Sequence, residues 1–145
     1  MRKDWSPCTW QDEQLWSRAK LDVFVHESET SCRIIDHKTG MKFGNEIKHG
    51  DQGMSYALNA MNRFPKMESF TMEFWYLDHN TKMVKRFTRR MLTKFLPRYH
   101  RRAIALTTAK AEDFRAKPSR DNCLFCPFGT GKFGNGHCTK DINKG

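Results

Sequence analysis

The stretch that decides the fold is SCRIIDHKTG, residues 31–40. Its first half contains the adjacent β-branched residues Ile34 and Ile35, which favour a strand. Asp36, His37 and Lys38 follow directly, so a carboxylate and an ammonium group stand at the end of the stretch. Because successive side chains of a strand point to opposite faces, Asp36 and Lys38 share one face of the predicted strand. They form either an ordinary ion pair or the start of a functional site.

The sequence around this stretch predicts a β-hairpin followed by a helix. Residues 19–27 alternate apolar and polar side chains, and a short polar break separates them from the strand at residues 31–38. Residues 46–63 carry apolar side chains at helical spacing, and Pro65 ends this predicted helix. The first half of the chain is therefore predicted to be strand, strand, helix.

The second half of the chain has the same predicted order of elements. Residues 69–78 and 82–88 are predicted to form a second hairpin. A last helix is predicted from about residue 89 to about residue 114, either continuous or restarting after Pro97. A tail that contains cysteines follows.

The length of 145 residues fits a single domain with a sizeable core. We predict a short N-terminal segment (1–18), a core (19–114) and a cysteine-rich tail (115–145). No apolar run is long enough to cross a membrane, and the N-terminus lacks the apolar centre of a signal peptide. We therefore expect a soluble protein that acts in the cytoplasm.

Basic residues exceed acidic ones and are clustered in one segment. Lys and Arg number 26 against 16 Asp and Glu, a net charge of +10. Residues 82–102 are rich in Lys and Arg, contain no acid, and include Phe87, Phe95 and Tyr99. This pattern is typical of a surface that follows a nucleic-acid backbone, and the alternative is a solvated basic face without a ligand. The candidate DNA-binding residues are Lys85, Arg86, Arg89, Arg90, Lys94, Arg98, Arg101 and Arg102.

A second carboxylate is predicted to lie near Asp36. Asp22 belongs to the first predicted strand, and the hairpin would bring it to the same end of the sheet as Asp36. Two carboxylates suit Mg²⁺, and a metal-bound water is the nucleophile that phosphodiester hydrolysis needs. Lys38 would orient or deprotonate that water, or neutralise charge on the phosphate. The alternative is that both acids are ordinary strand-end and turn residues.

Four segments occur in a characteristic order over about residues 18–77: RAKLDV, IIDHKTG, QGMSYALNAM and FWYLD. They resemble the core of the PD-(D/E)XK nuclease superfamily, and within it the RecB-type exonuclease family, which includes phage exonucleases and CRISPR-associated adaptation nucleases. Members typically carry an Asp in the first strand, a D-x-K or E-x-K with a following Thr-Gly or Ser-Gly, and a Q-x-x-x-Y helix. The resemblance implies an α/β (α+β) fold with a restriction-endonuclease-like core, in which helices flank a central mixed sheet of about four strands.

The resemblance also implies a role for each matching residue. Asp22 and Asp36 would bind Mg²⁺ or Mn²⁺, with the backbone carbonyl of His37 as a third ligand, and Lys38 would be the catalytic lysine. The side chain of His37 would point away from its neighbours.

Two further residues of the motif lie on the predicted helix. Gln52 would sit near the metal or the scissile phosphate, and Tyr56 would contact the DNA backbone or brace the site. The alternative is that they are a helix cap and a core aromatic residue.

The tail contains a second group of candidate ligands. Cys123 and Cys126 have the C-x-x-C spacing that lets two thiolates reach one metal, and Cys138 with His137 would complete a set. Many RecB-type nucleases have a similar tail, in which three cysteines and one upstream cysteine hold a 4Fe–4S cluster; here the upstream candidate is Cys8, with Cys32 the weaker one. Because the gap before Cys138 is longer than in the family, zinc is a rival to iron–sulfur, and unliganded reduced cysteines are a third alternative.

The N-terminus departs from the family pattern. Members usually begin with a helical region whose His helps to bind the metal, whereas only residues 1–18 precede the first predicted strand here. We therefore expect a companion subunit or a second copy that supplies this segment, or a minimal nuclease without that His.

The sequence thus predicts a metal-dependent DNA nuclease, an exonuclease of recombination, repair or phage genome processing, in a bacterial or phage-infected cell. A second hypothesis is a noncatalytic DNA-binding or assembly subunit of a split nuclease that keeps the fold. A third is a zinc-stabilised RNA-binding module.

Overall fold

A computed structural model describes residues 1–39, 44, 46–113, 117–124, 126–130 and 134–139 of the chain. The chain divides into two compact units, Met1–Ala103 and Ile104–Gly145. The predicted boundaries after residues 18 and 114 stay predictions. No helix in the described part of the chain is long and apolar enough to cross a membrane.

The first unit is built on a four-stranded mixed sheet. Its strands are β1 (Val23–His26), β2 (Ser31–Lys38), β3 (Ser69–Tyr76) and β4 (Thr81–Thr88), and they lie side by side in that order. β1 pairs with β2 and β3 pairs with β4 in antiparallel hairpins, whereas β2 and β3 are parallel. Both predicted hairpins and the mixed four-stranded sheet are confirmed.

The helices follow the prediction except at the end of the last long one. The first helix has the predicted bounds of residues 46–63, and the second continues through Pro97 without a restart. The second helix ends at Thr108, earlier than the predicted residue 114, which lies outside the described residues. The α-helices are α1 (Glu46–Arg63), α2 (Arg89–Thr108) and α3 (Arg120–Leu124), and 3₁₀ turns form at Leu77–His79 and Ala111–Asp113.

Two predicted strands are shorter in the structure. The strand predicted at residues 19–27 begins at Val23, so that Asp22 lies just before β1 and not within it. Beyond the last ladder pair, the carboxylate of Asp22 accepts the backbone N–H of His37. The strand predicted at residues 69–78 ends at Tyr76, where a 3₁₀ turn begins.

The core lies between α1 and one face of the sheet, called the core face. Alternate residues of β2 and β3 point to this face, and Ala57, Leu58 and Met61 of α1 are buried with them. Gly53 lets the helix approach closely, because a Cβ there would lie 2.8 Å from Cγ of Met72. The core-face residues of the two strands are Cys32, Ile34, Phe70, Met72, Phe74 and Tyr76.

Candidate active site

Asp36 and Lys38 form a close pair at the end of β2. Asp36 is 4 % exposed, and Nζ of Lys38 lies 2.7 Å from its Oδ2. The ammonium of Lys38 is therefore the cation that neutralises this buried oxygen, which has no further partner among the described residues. A buried carboxylate oxygen without a hydrogen bond is costly unless a cation satisfies it.

Helix α1 completes a network around this pair. Nζ of Lys38 donates a hydrogen bond of 2.8 Å to Oε1 of Gln52. Nε2 of Gln52 donates to the hydroxyl of Tyr56 at 2.7 Å and lies 3.5 Å from Oδ1 of Asp36. Since Gln52 and Tyr56 are one helical turn apart, they share one face of α1. The structure therefore brings Asp36, Lys38, Gln52 and Tyr56 together.

Burial affects the ionisation of Tyr56. Removal from solvent raises the pKa of Tyr56, and the hydrogen bond from Gln52 lowers it by a smaller amount. The hydroxyl therefore keeps its proton at neutral pH. The charge of Asp36 and a side-chain hydrogen bond with its carboxylate also raise the pKa of Tyr56, so the hydroxyl accepts from Gln52 and directs its own proton to Asp36.

His49 is a neighbour of the site that the sequence analysis did not identify. Its Nδ1 is 2.8 Å from the hydroxyl of Tyr76, and its ring stacks on Phe74 with a centroid distance of 5.5 Å. Burial, and then the positive charge of Lys38, lower the pKa of His49. Its position three residues before Gln52, on the same helix face, is the signal that would have revealed it.

Asp22 lies at the same end of the sheet but outside this hydrogen-bond network. Its Oδ2 accepts the backbone N–H of His37 at 2.8 Å and lies 3.8 Å from Nδ1 of the same residue. The side chain of Asp22 is 43 % exposed. The last pair of the hairpin ladder is Val23 and Ile35. Continued by one residue, this register would place Asp22 opposite Asp36. Asp22 is thus near the level of Asp36 while its carboxylate is directed to His37.

The oxygen atoms at this end of the sheet fit a hard divalent cation. Asp36 offers a carboxylate whose Oδ2 is paired with Lys38, Asp22 offers an exposed carboxylate, and Mg²⁺ binds through one or two carboxylates and several waters. In the described part of the chain, no group of three or more His, Cys, Asp or Glu side chains could hold a metal. A site here would therefore depend on few protein ligands.

The cysteines of the tail lie in the second unit. The N–H of Cys126 donates to the carbonyl of Cys123 at 3.3 Å, and the N–H of Cys138 donates to the carbonyl of Phe128 at 2.6 Å. Cys123 is buried. The described residues of the tail, including His137, give no support to a zinc or iron–sulfur site. Such a site, with or without Cys8, stays a prediction.

Two of the eight candidate DNA-binding residues have partners within the fold. The guanidinium of Arg89 donates to the carbonyls of Met67, Phe64 and Met61 at 2.7 to 3.2 Å, at the carboxyl end of α1. Arg102 lies 3.6 Å from Asp51, next to Gln52. The other six are exposed: Lys85, Arg86, Arg90, Lys94, Arg98 and Arg101.

The motif segments and their geometry agree with a comparison against protein-family models. The model of the PD-(D/E)XK nuclease superfamily matches residues 14–130. The chain belongs to the PD-(D/E)XK nuclease superfamily. Comparison with curated proteins and with solved structures found no match.

Superfamily membership connects the geometry to a class of chemistry. PD-(D/E)XK nucleases are typically hydrolases that depend on Mg²⁺ or a similar divalent ion, and DNA is their implied substrate. In this PD-(D/E)XK chain the D-x-K motif is Asp36 and Lys38, and Gln52 and Tyr56 contact it from α1. Gly40, the second residue of the predicted Thr-Gly pair, lies outside the described residues.

Proposed function

We propose that this chain is a metal-dependent DNA exonuclease that hydrolyses phosphodiester bonds in recombination, repair or phage genome processing. The observation that carries the proposal is the network of Asp36, Lys38, Gln52 and Tyr56 at the end of β2. An ordinary surface ion pair would not need a second element to hold it, and here α1 contributes two side chains to the pair.

Asp36, Asp22 and the backbone carbonyl of His37 would hold the cation in this proposal. The presence of both carboxylates at the same end of the sheet supports this role, in which the cation would share the carboxylate of Asp36 with Lys38. When bound, the cation supplies Lewis-acid stabilisation of phosphate charge and an activated water.

The side chains around the cation position Lys38 and the phosphate. Lys38 can only donate, so its bond to Gln52 fixes the carbonyl oxygen of that amide toward β2 and the NH₂ group toward Tyr56. Lys38 is thereby held where its positive charge stabilises developing charge on the phosphate or orients the attacking water. The hydroxyl of Tyr56 would brace the site through Gln52 and Asp36.

The exposed basic residues of α2 would hold the DNA backbone. Arg90, Lys94, Arg98 and Arg101 are three or four residues apart and therefore share one face of the helix. The described residues contribute no ion-pair partner to any of them, so their charges face solvent. Each phosphate they neutralise would add salt-dependent affinity.

A metal site in the tail is a further part of the proposal, and it rests on the sequence. Cys123, Cys126 and Cys138, with His137 or Cys8, would hold a structural zinc ion or a 4Fe–4S cluster, on the support of the C-x-x-C spacing. Metal analysis of the purified chain, with Cys123→Ser and Cys126→Ser as comparisons, tests this part.

The exonuclease proposal is tested with linear and covalently closed circular DNA of the same sequence, in single-stranded and duplex form. With Mg²⁺ or Mn²⁺, the wild-type chain is expected to degrade linear DNA to short products and to leave circles intact. Cutting of circles would contradict the exonuclease assignment. Binding to linear DNA without cutting would favour the noncatalytic subunit, and selective binding of single-stranded RNA without cutting would favour the RNA-binding module.

A further inference from the structure

The sheet face opposite the core face, called the reverse face, carries an aromatic and basic row beside the candidate active site. His37, Trp75 and Lys82 are direct neighbours across β2, β3 and β4. Their side chains point away from α1 because they alternate with core-face residues. His37 stands between Asp36 and Lys38 in sequence, so the row lies at the same end of the sheet as the D-x-K motif.

A buried acid organises this row. Glu73 is 3 % exposed, and its carboxylate accepts the indole N–H of Trp75 at 2.7 Å. Nζ of Lys82 lies 3.2 Å from the same carboxylate, and Nη1 of Arg33 lies 3.4 Å from it. Ion pairs and hydrogen bonds offset the cost of burying this charge. The carboxylate therefore fixes the orientation of the indole and holds two cations beside it.

The row exposes cationic and aromatic side chains while Glu73 is covered, although the exposed carboxylate of Asp22 lies 3.8 Å from the ring of His37. The side chains of Lys82 and Arg33 are 52 % and 40 % exposed, while the side chain of Glu73 is 4 % exposed. Trp75 is 38 % exposed and meets the ring of His37 edge to face at 5.8 Å. Arg33 also forms an ion pair with Glu27, so part of its charge is neutralised within the fold. The described residues give Arg86 no ion-pair partner, so Arg86 is the better candidate to extend the row.

A single-stranded nucleic acid matches this surface better than a duplex or an apolar protein segment does. An exposed indole stacks on a base only when the base is unpaired, and neighbouring cations suit the phosphates of the same strand. Lys82 and Arg86 are four residues apart on β4 and therefore point to the same face of the sheet. They would contact different phosphates of one backbone.

We propose that the reverse-face row of His37, Trp75 and Lys82, extended by Arg86, binds an unpaired segment of the DNA substrate, with a base stacked on Trp75. The inference rests on the proposed function for the identity of the substrate and adds a second contact surface to it. Asp22 lies beside both surfaces, because its carboxylate accepts the backbone N–H of His37 and its Oδ2 lies 3.8 Å from Nδ1 of the His37 ring.

The test measures binding of a fluorescently labelled oligothymidylate by anisotropy, in EDTA so that no cleavage occurs. Trp75→Ala is expected to weaken binding about 5- to 100-fold, and Trp75→Phe is expected to restore most of the loss, since base stacking on an aromatic ring has this magnitude. Trp10→Ala is the matched control, because Trp10 is also exposed, at 51 %, and lies in the N-terminal segment. It is expected to bind as the wild type does.

A second pair of variants keeps the test informative if Trp75→Ala does not fold. Lys82→Gln and Arg86→Gln are each expected to reduce the slope of log affinity against log salt by about 0.7, the value for one phosphate of a single strand. Binding within twofold of wild type by Trp75→Ala, or unchanged slopes in both charge variants, would overturn the inference. The inference would also be overturned if the wild type were a dimer, and Trp75→Ala were a monomer that bound DNA as tightly as the wild type. Trp75 would then belong to an interface between two copies of the chain.

The binding assay separates this inference from the proposed function. If the wild-type chain binds the oligonucleotide through Trp75 but cuts no DNA with Mg²⁺ or Mn²⁺, the exonuclease proposal fails and the reverse-face site stands. If the chain cuts DNA and Trp75→Ala binds and cuts normally, only the reverse-face site fails.

Discussion

Lys38 on β2 donates a hydrogen bond of 2.8 Å to the side-chain carbonyl of Gln52 on α1. The bond joins the lysine of the D-x-K motif to the glutamine of the Q-x-x-x-Y motif. Two motifs that lie apart in the sequence therefore form one structural unit, and the position of the ammonium depends on the helix as well as on the strand.

Replacement of Gln52 by Ala is expected to slow DNA cleavage about 10- to 100-fold, because a small misplacement of a catalytic group has effects of this size. Single-turnover cleavage of linear DNA measures the change. Gln14→Ala, at an exposed position in the N-terminal segment, is the matched control and is expected to cut at the wild-type rate. Wild-type cleavage by Gln52→Ala would show that Lys38 needs no support from α1.

The two glycines of α1 are expected to respond to alanine in opposite directions. A Cβ at Gly53 would lie 2.8 Å from Cγ of Met72 and 3.1 Å from the ring of Phe74, whereas none of the described atoms lies within 4 Å of a Cβ at Gly50. Gly53→Ala is expected to lower the free energy of unfolding by about 1 to 3 kcal/mol, the usual cost of overpacking. Gly50→Ala is expected to raise it by up to about 1 kcal/mol through helix propensity. Urea denaturation measures both, and equal effects would contradict the close approach of α1.

Arg89 is expected to stabilise the fold and not only to bind DNA. Its guanidinium donates to three backbone carbonyls at the end of α1 and in the following turn. Because hydrogen bonds from charged groups contribute about 1.5 to 3 kcal/mol, Arg89→Met is expected to lower the free energy of unfolding by roughly this amount. Arg90, the neighbouring exposed residue, supplies the control. Arg90→Met is expected to change the free energy of unfolding by no more than about 0.5 kcal/mol. A similar small effect at both positions would contradict the structural role.

The carboxylate of Glu73 is expected to make stability depend on acid pH. Burial alone would raise the pKa of Glu73, but the hydrogen bonds from Trp75 and Lys82 and the charges of Lys82 and Arg33 outweigh it and lower the pKa. A lowered pKa in the folded state gives stability that is present above the unfolded value of about 4.3 and is lost as pH falls through the folded value.

The pH dependence is measured as the Tm difference between the wild type and Glu73→Gln. This difference is expected to be largest at neutral pH and to shrink below about pH 4 as the carboxylate becomes protonated. A difference that stays constant down to pH 3 would show that the charge of Glu73 contributes nothing.

The parts of the fold that were predictable from sequence are those with strong local patterns. β2 and α1 have the predicted bounds, because the first carries β-branched residues before a polar end and the second has helical spacing closed by Pro65. Pro97 was a misleading signal, since α2 accommodates the loss of one backbone donor within a long packed helix.

The parts that were not predictable depend on contacts between distant residues. β1 begins only at Val23, and the bond between the Asp22 carboxylate and the backbone N–H of His37 lies just beyond its ladder, which no local pattern reveals. The motif spacing predicted that Asp36, Lys38, Gln52 and Tyr56 would meet. The spacing of His49 from Gln52 places it on the same face of α1, whereas its contact with Tyr76 depends on the packing of α1 against β3. The organisation of the reverse face by Glu73 likewise depends on strand register.

The central claim is that Asp36 and Lys38 perform metal-dependent cleavage of DNA. The most direct measurement is cleavage of end-labelled linear DNA with Mn²⁺, and again after EDTA, by the wild type, Asp36→Asn, Lys38→Met and the exposed control Glu13→Gln. The account predicts that the wild type and Glu13→Gln cut DNA and that EDTA stops them. Both site variants are expected to cut at least about 100-fold more slowly while they still bind DNA. Cleavage at the wild-type rate by either site variant would contradict the account and would leave Asp36 and Lys38 as an ordinary ion pair at the end of a strand.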